Sequence, residues 1–437
     1  MNFRSFASDY GMLAVLILLC AYFSWATLQE QPPRGEAAAQ ALADVLAEEA
    51  PANASIAILS KSNPDGTRFA QRLQERLESA GLTVTAALQG DPPSVRTRLR
   101  ELTAQGTEID ILATTADYRL LAESLVEAQP ELSQADVRLP PASRWPTFLL
   151  TENLLNVANQ IVVIAVIAIG MTMVIITGGI DLSVGSLIAL SAVAATWLIR
   201  WAGAAEASAS EMVLASLGGI LLSAGLGLFS GVMVTAVRIP SFIATLAMMQ
   251  VASGLAFIIS GGLPIYQVPD TYTALGRGQL FSIPIAVILM AILYLLAHLL
   301  MSHTRLGRYI YAVGGNAEAA RLSGVRVQRI RLFVFAVSGA MAGLGGIVLA
   351  SQLKSGSPTY GLTYELYVIA AVVVGGASLS GGRGKIFGTL IGALIIAVIN
   401  NGMNLTNVES YTQKVVLGFV VLGAVVLDSI RKRAWKN

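Results

Sequence analysis

The sequence predicts an all-α polytopic membrane protein of about ten transmembrane helices, carrying one small inserted α/β domain. Three observations lead there. Of the 437 residues, 54% are hydrophobic and only 13% are charged, roughly half the charged share of a soluble domain. The charge is also segregated, because residues 29–145 hold 17 of the 27 acidic and 11 of the 29 basic residues. On both sides of that polar island, apolar runs long enough to span a bilayer recur. The chain therefore divides into an N-terminal segment with the first span (1–28), an insert (29–147) and a main transmembrane domain (148–437).

The first apolar run is Gly11–Leu28. At about 1.5 Å per residue its 18 residues reach roughly 27 Å, just enough to cross the hydrocarbon core. A cleaved signal peptide would have a shorter apolar core and a positive leader, whereas Arg4 is balanced here by Asp9. Trp25–Glu30 also offers no clean small-residue cleavage site, so an uncleaved helix is expected. Nine further runs follow the insert, at 154–177, 182–200, 212–237, 241–260, 281–301, 332–350, 366–379, 386–400 and 413–430. The runs 366–379 and 386–400 are short, the mark of broken or re-entrant segments, which are tolerated only where protein covers the backbone.

Lys and Arg set the orientation. With a cytoplasmic N-terminus and ten crossings, the inner side collects Arg4, Arg238, the six arginines from Arg305 to Arg331, Arg383, Lys385, Arg431, Lys432, Arg433 and Lys436. Only Arg200, Arg277, Lys354 and Lys414 fall outside. Both termini are thus expected in the cytoplasm and the insert 29–147 outside it. Glycines at four-residue spacing (Gly227/Gly231, Gly339/Gly343 and Gly384/Gly388/Gly392) let helix backbones approach closely within a bundle.

Composition excludes several functions. A net charge of +2 gives no basic field for nucleic acid. Cys20 stands alone in an apolar run and forms no internal disulfide. His298 and His303, with no cysteine cluster nearby, make no zinc site. No catalytic residue, metal site or cofactor is expected.

Three segments are harder to explain as packing. In the first, Thr177 to Ser186, the pair Gly178-Gly179 breaks a helix, and Asp181, Ser183 and Gly185 open the next. Asp181 reads either as a replaceable cap or as part of a moving, substrate-gating element, since an acid at a membrane helix end is costly unless satisfied. The second is the long inside loop 303–331. Gly314, Gly315 and Asn316 open a short helix through Glu318, Ala319, Ala320, Arg321 and Ser323, and Gly324 ends it. A short, partly apolar helix on that face invites docking into a groove of another protein. The third, Tyr364-Glu365 through Gly375–Lys385, superficially suggests a phosphate loop. Lys385 is followed by Ile386 rather than Ser or Thr, and Leu379 stands where the first glycine belongs, so no Walker A site exists. His-Glu-x-x-His and Gly-x-Ser-x-Gly are absent as well.

At these residues the chain resembles the ribose-type permeases, membrane subunits of bacterial ABC importers for sugars. The resemblance is carried by Gly179-Ile180-Asp181-Leu182-Ser183-Val184-Gly185-Ser186, His303–Ala312, the Gly-Gly-Asn loop after it, Gly375–Gly392 and Asn400-Asn401-Gly402-Met403-Asn404-Leu405. It covers about residues 148–437. It implies a type II bundle like that of the vitamin B12 importer, in the bacterial inner membrane. It also implies a second permease copy, a separate ATPase subunit under Gly315–Gly324, and a periplasmic sugar-binding protein delivering substrate. Coupling is then mechanical, with Gly178, Gly179, Asp181, Ser183 and Gly185 at a break that moves. Asn400 and Asn401 either line the pathway or cap a helix.

Members of that family join the first span to Phe148–Leu154 by a short loop. Here about 117 residues intervene, with helical periodicity over Glu36–Glu49, Gly66–Ala80, Ser94–Ala104 and Tyr118–Glu127. These alternate with strand-like runs at Ser55–Leu59, Leu82–Leu88 and Ile109–Thr114. Such alternation predicts a small parallel sheet of βαβ units. The stretch Ile56–Thr115 also resembles part of one lobe of sugar-binding proteins, at Ser60–Pro64, Gln89–Pro92 and Gly106–Thr114. A docking or regulatory lobe, a spacer and a direct sugar contact through Ser62, Asn63 and Asp65 all fit that pattern.

The expected function is therefore a sugar-translocating permease, not an enzyme. An ion-coupled secondary transporter would need carboxylates within its spans, where this chain offers little beyond Asp181 and Glu365. A polytopic sensor would need a cytoplasmic output domain, and the inside segments are too short for one.

Overall fold

A computed structural model describes residues 3–51 and 53–434; Lys436, counted above among the inside charges, lies outside the described residues. The chain forms two compact units, Leu28–Thr147 and the remainder.

The larger unit is built on ten helices that we number α1 to α10: Phe3–Ala26, Thr151–Ile176, Val184–Ala202, Ala209–Thr235, Ser241–Ser260, Ile285–His303, Val327–Leu353, Tyr364–Val374, Ile386–Leu405 and Ser410–Ala434. By length and composition seven of them (α2 to α7 and α9) are able to cross a membrane. Burial divides these seven into layers. The apolar window of α2 is 83% buried and that of α3 72%, against 22% for α5 and 28% for α4 and α6. A helix apolar all round belongs inside a bundle or against lipid, and this chain uses both solutions. Leu214, Leu221 and Phe229 on α4, Ile258 on α5 and Leu295 and Leu296 on α6 present a broad exposed apolar surface.

Glycine sets the closest crossing. A Cβ on Gly339 or Gly343 of α7 would strike the backbone of Ser223 or Ile220 on α4, and one on Gly227 would lie 3.0 Å from Gly339 Cα. With no hydrophobic drive between helices in lipid, such contacts are supplemented by buried hydroxyls. Ser191 donates to the Gly343 carbonyl at 2.8 Å, Thr172 and Thr389 pair at 2.8 Å, and Tyr294 donates to the Ala165 carbonyl at 2.9 Å. Gly384 departs from the expected glycine row. It precedes α9, and only Gly388 and Gly392 face α8, at Gly375 and Ala371.

Two apolar runs differ from their sequence reading. The run 386–400 is not short, because α9 continues helical to Leu405. The first span ends earlier than Leu28: α1 stops at Ala26, where Thr27 donates to the Phe23 carbonyl and accepts the Phe148 N–H at 3.1 Å. By contrast α8 has only 11 residues, or about 16 Å, too little to cross alone.

The smaller unit holds a four-stranded parallel sheet. Its strands are β2 (Ser55–Ser60), β3 (Thr83–Gln89), β4 (Ile111–Thr114) and β5 (Asp136–Arg138), in the order β3-β2-β4-β5. Helices Gly35–Glu49 and Pro64–Ser79 pack Leu42, Phe69 and Leu73 on one face, while Pro92–Ala104 and Arg119–Ala128 pack Leu99, Ala122 and Leu125 on the other. Asn63 starts one of these helices by accepting the Gly66 N–H at 2.7 Å, which is how a cap residue satisfies a free helical donor. Asp136 and Glu49 hold the Arg138 guanidinium at 2.6 Å each and raise its pKa. An antiparallel ribbon of β1 (Leu28–Gln31) and β6 (Ser143–Pro146) closes the unit, in register from Leu28↔Pro146 to Gln31↔Ser143.

Candidate functional site

The backbone between α2 and α3 is held by side chains. Gly178, at φ +78°, reverses the chain after Ile176, a conformation that glycine adopts without a Cβ penalty. An extended stretch follows. The Ile180 N–H donates to Ser241 Oγ at 3.1 Å and the Leu182 N–H to Thr245 Oγ1 at 3.0 Å, both from the first turns of α5. Irregular backbone inside a membrane bundle is stable only with such partners.

Asp181 is fully buried. Its Oδ1 accepts the Ser183 N–H at 3.0 Å and Ser183 Oγ at 2.6 Å, and its Oδ2 accepts Ser338 Oγ at 2.8 Å. Sequence reading put Asp181 at the helix cap, whereas the cap position belongs to Ser183. The chain stays extended through Leu182 to meet α5, so Asp181 closes a local turn onto Ser183 instead. It also ties that turn to the middle of α7 through Ser338. Gly179 packs under Phe335 and beside Ser241. Gly185, in the first turn of α3, abuts the Gly361 carbonyl and the Glu365 carboxylate. Two interrupted helices thus meet where α3 and α8 begin.

At the other end of the break three remote segments converge. The Ile176 carbonyl, freed where α2 stops, accepts the Gly382 N–H at 2.8 Å. Gly314 is wedged against both groups: a Cβ there would collide with Ile176 O and lie 2.6 Å from Gly382 N. A Cβ on Gly381 would sit 2.8 Å from Gly314 O and 3.1 Å from Gly178 N. Tyr311 Oη donates to the Gly384 carbonyl at 2.7 Å. Gly314, Gly381 and Gly382 are glycine because backbone touches backbone there, whereas Gly178 is required by its left-handed φ.

Gly314 and Gly315 do not open the short helix as the sequence suggests: they are the last two residues of a preceding helix, Arg305–Gly315, and only Asn316 caps the exposed helix that follows. Asn316 Oδ1 accepts the N–H groups of Glu318 and Ala319 at 3.0 Å each, capping Ala317–Leu322. Ala320 is buried, while Glu318, Ala319, Arg321, Ser323 and Gly324 are exposed and Leu322 is 77% exposed. Arg321 pairs with Glu318 at 2.5 Å, and this guanidinium holds the carboxyl below its usual range. Ser323 Oγ donates to the Ala319 carbonyl, and Gly324, at φ +85°, ends the helix. A Cβ added to Gly315 would meet open space. The result is a stiff knob on a basic loop, mounted on the end of α2.

Asn400 and Asn401 lie inside α9, away from both clusters. Asn401 exchanges two amide hydrogen bonds with Asn153 of α2, at 2.8 and 3.0 Å. Replacing Asn401 by Ala is expected to cost about 0.6–1.7 kcal/mol, the range for interhelical polar pairs in membranes. An Asn153–Asn401 double-mutant cycle read by thermal unfolding in detergent checks it, and zero coupling refutes it. Sequence reading missed Ser338, Ser241, Thr245, Asn153 and Gly361 as partners. Ser338, Ser241 and Thr245 are small polar residues within apolar runs, a signal also produced by ordinary packing, while Asn153 and Gly361 lie just outside the runs.

A model of the family described as branched-chain amino acid transport system / permease component matches residues 153–425. The ribose import permease protein RbsC of Escherichia coli (strain K12) is 44% identical over 288 residues, 65% of this chain and 88% of that protein. RbsC of Bacillus subtilis (strain 168) is 44% identical over 285 residues, 65% and 86% of the two chains. The D-allose transport system permease protein AlsC of Escherichia coli (strain K12) is 36% identical over 283 residues, 65% and 85%. No solved structure matches the chain significantly.

Proposed function

The chain belongs to the branched-chain amino acid transport system permease component family, and from that premise we propose that it is the membrane subunit of a bacterial ABC importer for a monosaccharide. The names of its relatives, ribose and D-allose permeases, support the substrate class. The observation that carries the mechanism is the glycine knot, where the loop bearing Ala317–Leu322 is fastened to the end of α2 and to the 378–384 loop. A push on the exposed helix reaches the α2–α3 break through backbone contacts, with no soft side chain between. The chain lacks a Walker A loop, so the push comes from a separate ATPase subunit, and the bundle supplies the element with two arrangements.

In this reading both termini and the 303–331 loop face the cytoplasm, and the insert lies outside the inner membrane. Fourteen of the eighteen Lys and Arg residues beyond the insert then sit inside. Ten helices form the bundle, with α8 entering part-way. Two copies enclose the path, and a soluble binding protein delivers the sugar.

A Glu318→Lys, Gly324→Pro double variant tests the coupling. The first change puts like charges at Glu318 and Arg321, and the second forbids the left-handed backbone that ends the helix. Uptake into proteoliposomes carrying the ATPase and binding protein is expected to fall to background, with membrane insertion retained. Undiminished uptake by an inserted variant removes the assignment.

A further inference from the structure

We propose that Glu365 marks the side of the molecule that looks onto the translocation path, and that its carboxylate accepts hydrogen bonds from hydroxyl groups of the passing solute. This rests on the transport reading above. Glu365 stands in the first turn of the short helix α8, with its carboxylate against Gly185. Gly185 follows directly on Asp181 and Ser183, which are tied to Ser338 in the middle of α7. The carboxylate therefore lies beside the α2–α3 break, against the first turn of α3 and on the side of the break that Ser338 ties to α7. It is half-buried, and among the described residues no cationic side chain pairs with it.

A carboxylate within the bundle and without a cation beside it is costly against hydrocarbon, so it faces protein or water. Its place near a helix N-terminus offsets part of the cost, but the dipole contributes less than lipid exposure would take away. The neighbouring surface agrees. Thr359 and Thr363 are exposed there beside Leu362 and Leu366, a mixed lining unlike the apolar outer face of α4. The irregular stretch before α8 points the same way. Ser355, Gly356, Ser357 and Pro358, which follow the end of α7, are buried, and buried non-helical backbone in such a bundle is found where protein or a watery cavity covers it. Carboxylates are strong acceptors for sugar hydroxyls, and this one, which accepts the N–H of its own residue, keeps further acceptor positions.

The full chain with Cys20→Ser, in membranes, allows two measurements. Glu365→Cys is expected to react with a membrane-impermeant cationic methanethiosulfonate at least about tenfold faster than Leu221→Cys on the exposed face of α4, because a thiolate forms only where water reaches it. Equal, slow labelling of both overturns the proposal. In proteoliposomes with the ATPase and binding protein, Glu365→Gln is expected to keep uptake within about threefold, while Glu365→Leu loses roughly tenfold or more, the scale of one charge-assisted hydrogen bond. Full uptake by Glu365→Leu removes the solute contact. Fast labelling at position 365 in a chain whose parent shows no ATP-driven uptake overturns the transport reading and leaves the water-facing assignment standing.

Discussion

Gly314→Val is expected to abolish transport, whereas Gly315→Val, one residue on, leaves it nearly intact. The two glycines are adjacent on one helix end and read alike, yet their surroundings differ. A side chain at Gly314 must displace the Ile176 carbonyl and the Gly382 amide, which are bonded to each other at 2.8 Å. Neither is a flexible side-chain tip, so the clash breaks a buried hydrogen bond as well as overpacking the knot. Overpacking alone costs about 1–3 kcal/mol, and the orphaned donor and acceptor about 1–3 kcal/mol more. At Gly315 nothing lies within 4 Å of an added Cβ. ATP-driven uptake and thermal unfolding in detergent, measured on both variants in parallel, decide the matter. Equal behaviour would mean that the knot yields, and with it the rigid link from the loop to α2.

Asp181 gives the second large effect. Its carboxylate receives three donors, two from Ser183 and one from Ser338. Alanine would strand all of them in a site with no access to water, at roughly 2–4 kcal/mol. Asparagine keeps one oxygen for Ser183 and offers an NH2 that Ser338 Oγ is able to accept. The expected order of unfolding temperature is wild type, then Asp181→Asn close behind, then Asp181→Ala well below, with uptake following the same order. If Ala and Asn variants melt together, the hydroxyl network contributes nothing and Asp181 is a replaceable turn residue.

Hydropathy and charge made the membrane segments legible because each is a long, locally encoded signal. The same signal under-read α9, whose last turns contain Asn400, Asn401 and Asn404. Hydropathy scores an asparagine as though water were its only partner, but Asn401 finds its match on Asn153, 248 positions away. Strands β1, β5 and β6 escaped notice for a different reason. Each has three or four residues, too few to show alternation, and their pairing is what makes them strands. The candidate site was visible as separate glycine-rich segments. That Gly178, Gly314 and Gly381–Gly382 would touch was not, since a run of glycines states only that close approach is possible and never names what approaches. Asp181 was found by its chemistry, and its partner Ser338 was hidden because serine among alanines and glycines on α7 looks like ordinary helix packing.

The hydrogen bond from the Phe148 amide to Thr27 Oγ1 has a consequence for how such a chain arises. In the membrane unit the two cut ends flanking Leu28–Thr147 already lie side by side, so the host needs no rebuilding to accept or release a guest between them. Loop-closure entropy grows only slowly with the length spliced into such a seam, and domains whose ends are neighbours are the ones that tolerate grafting. The polar segment thus enters and leaves the chain at a seam that the membrane unit holds together with its own hydrogen bond.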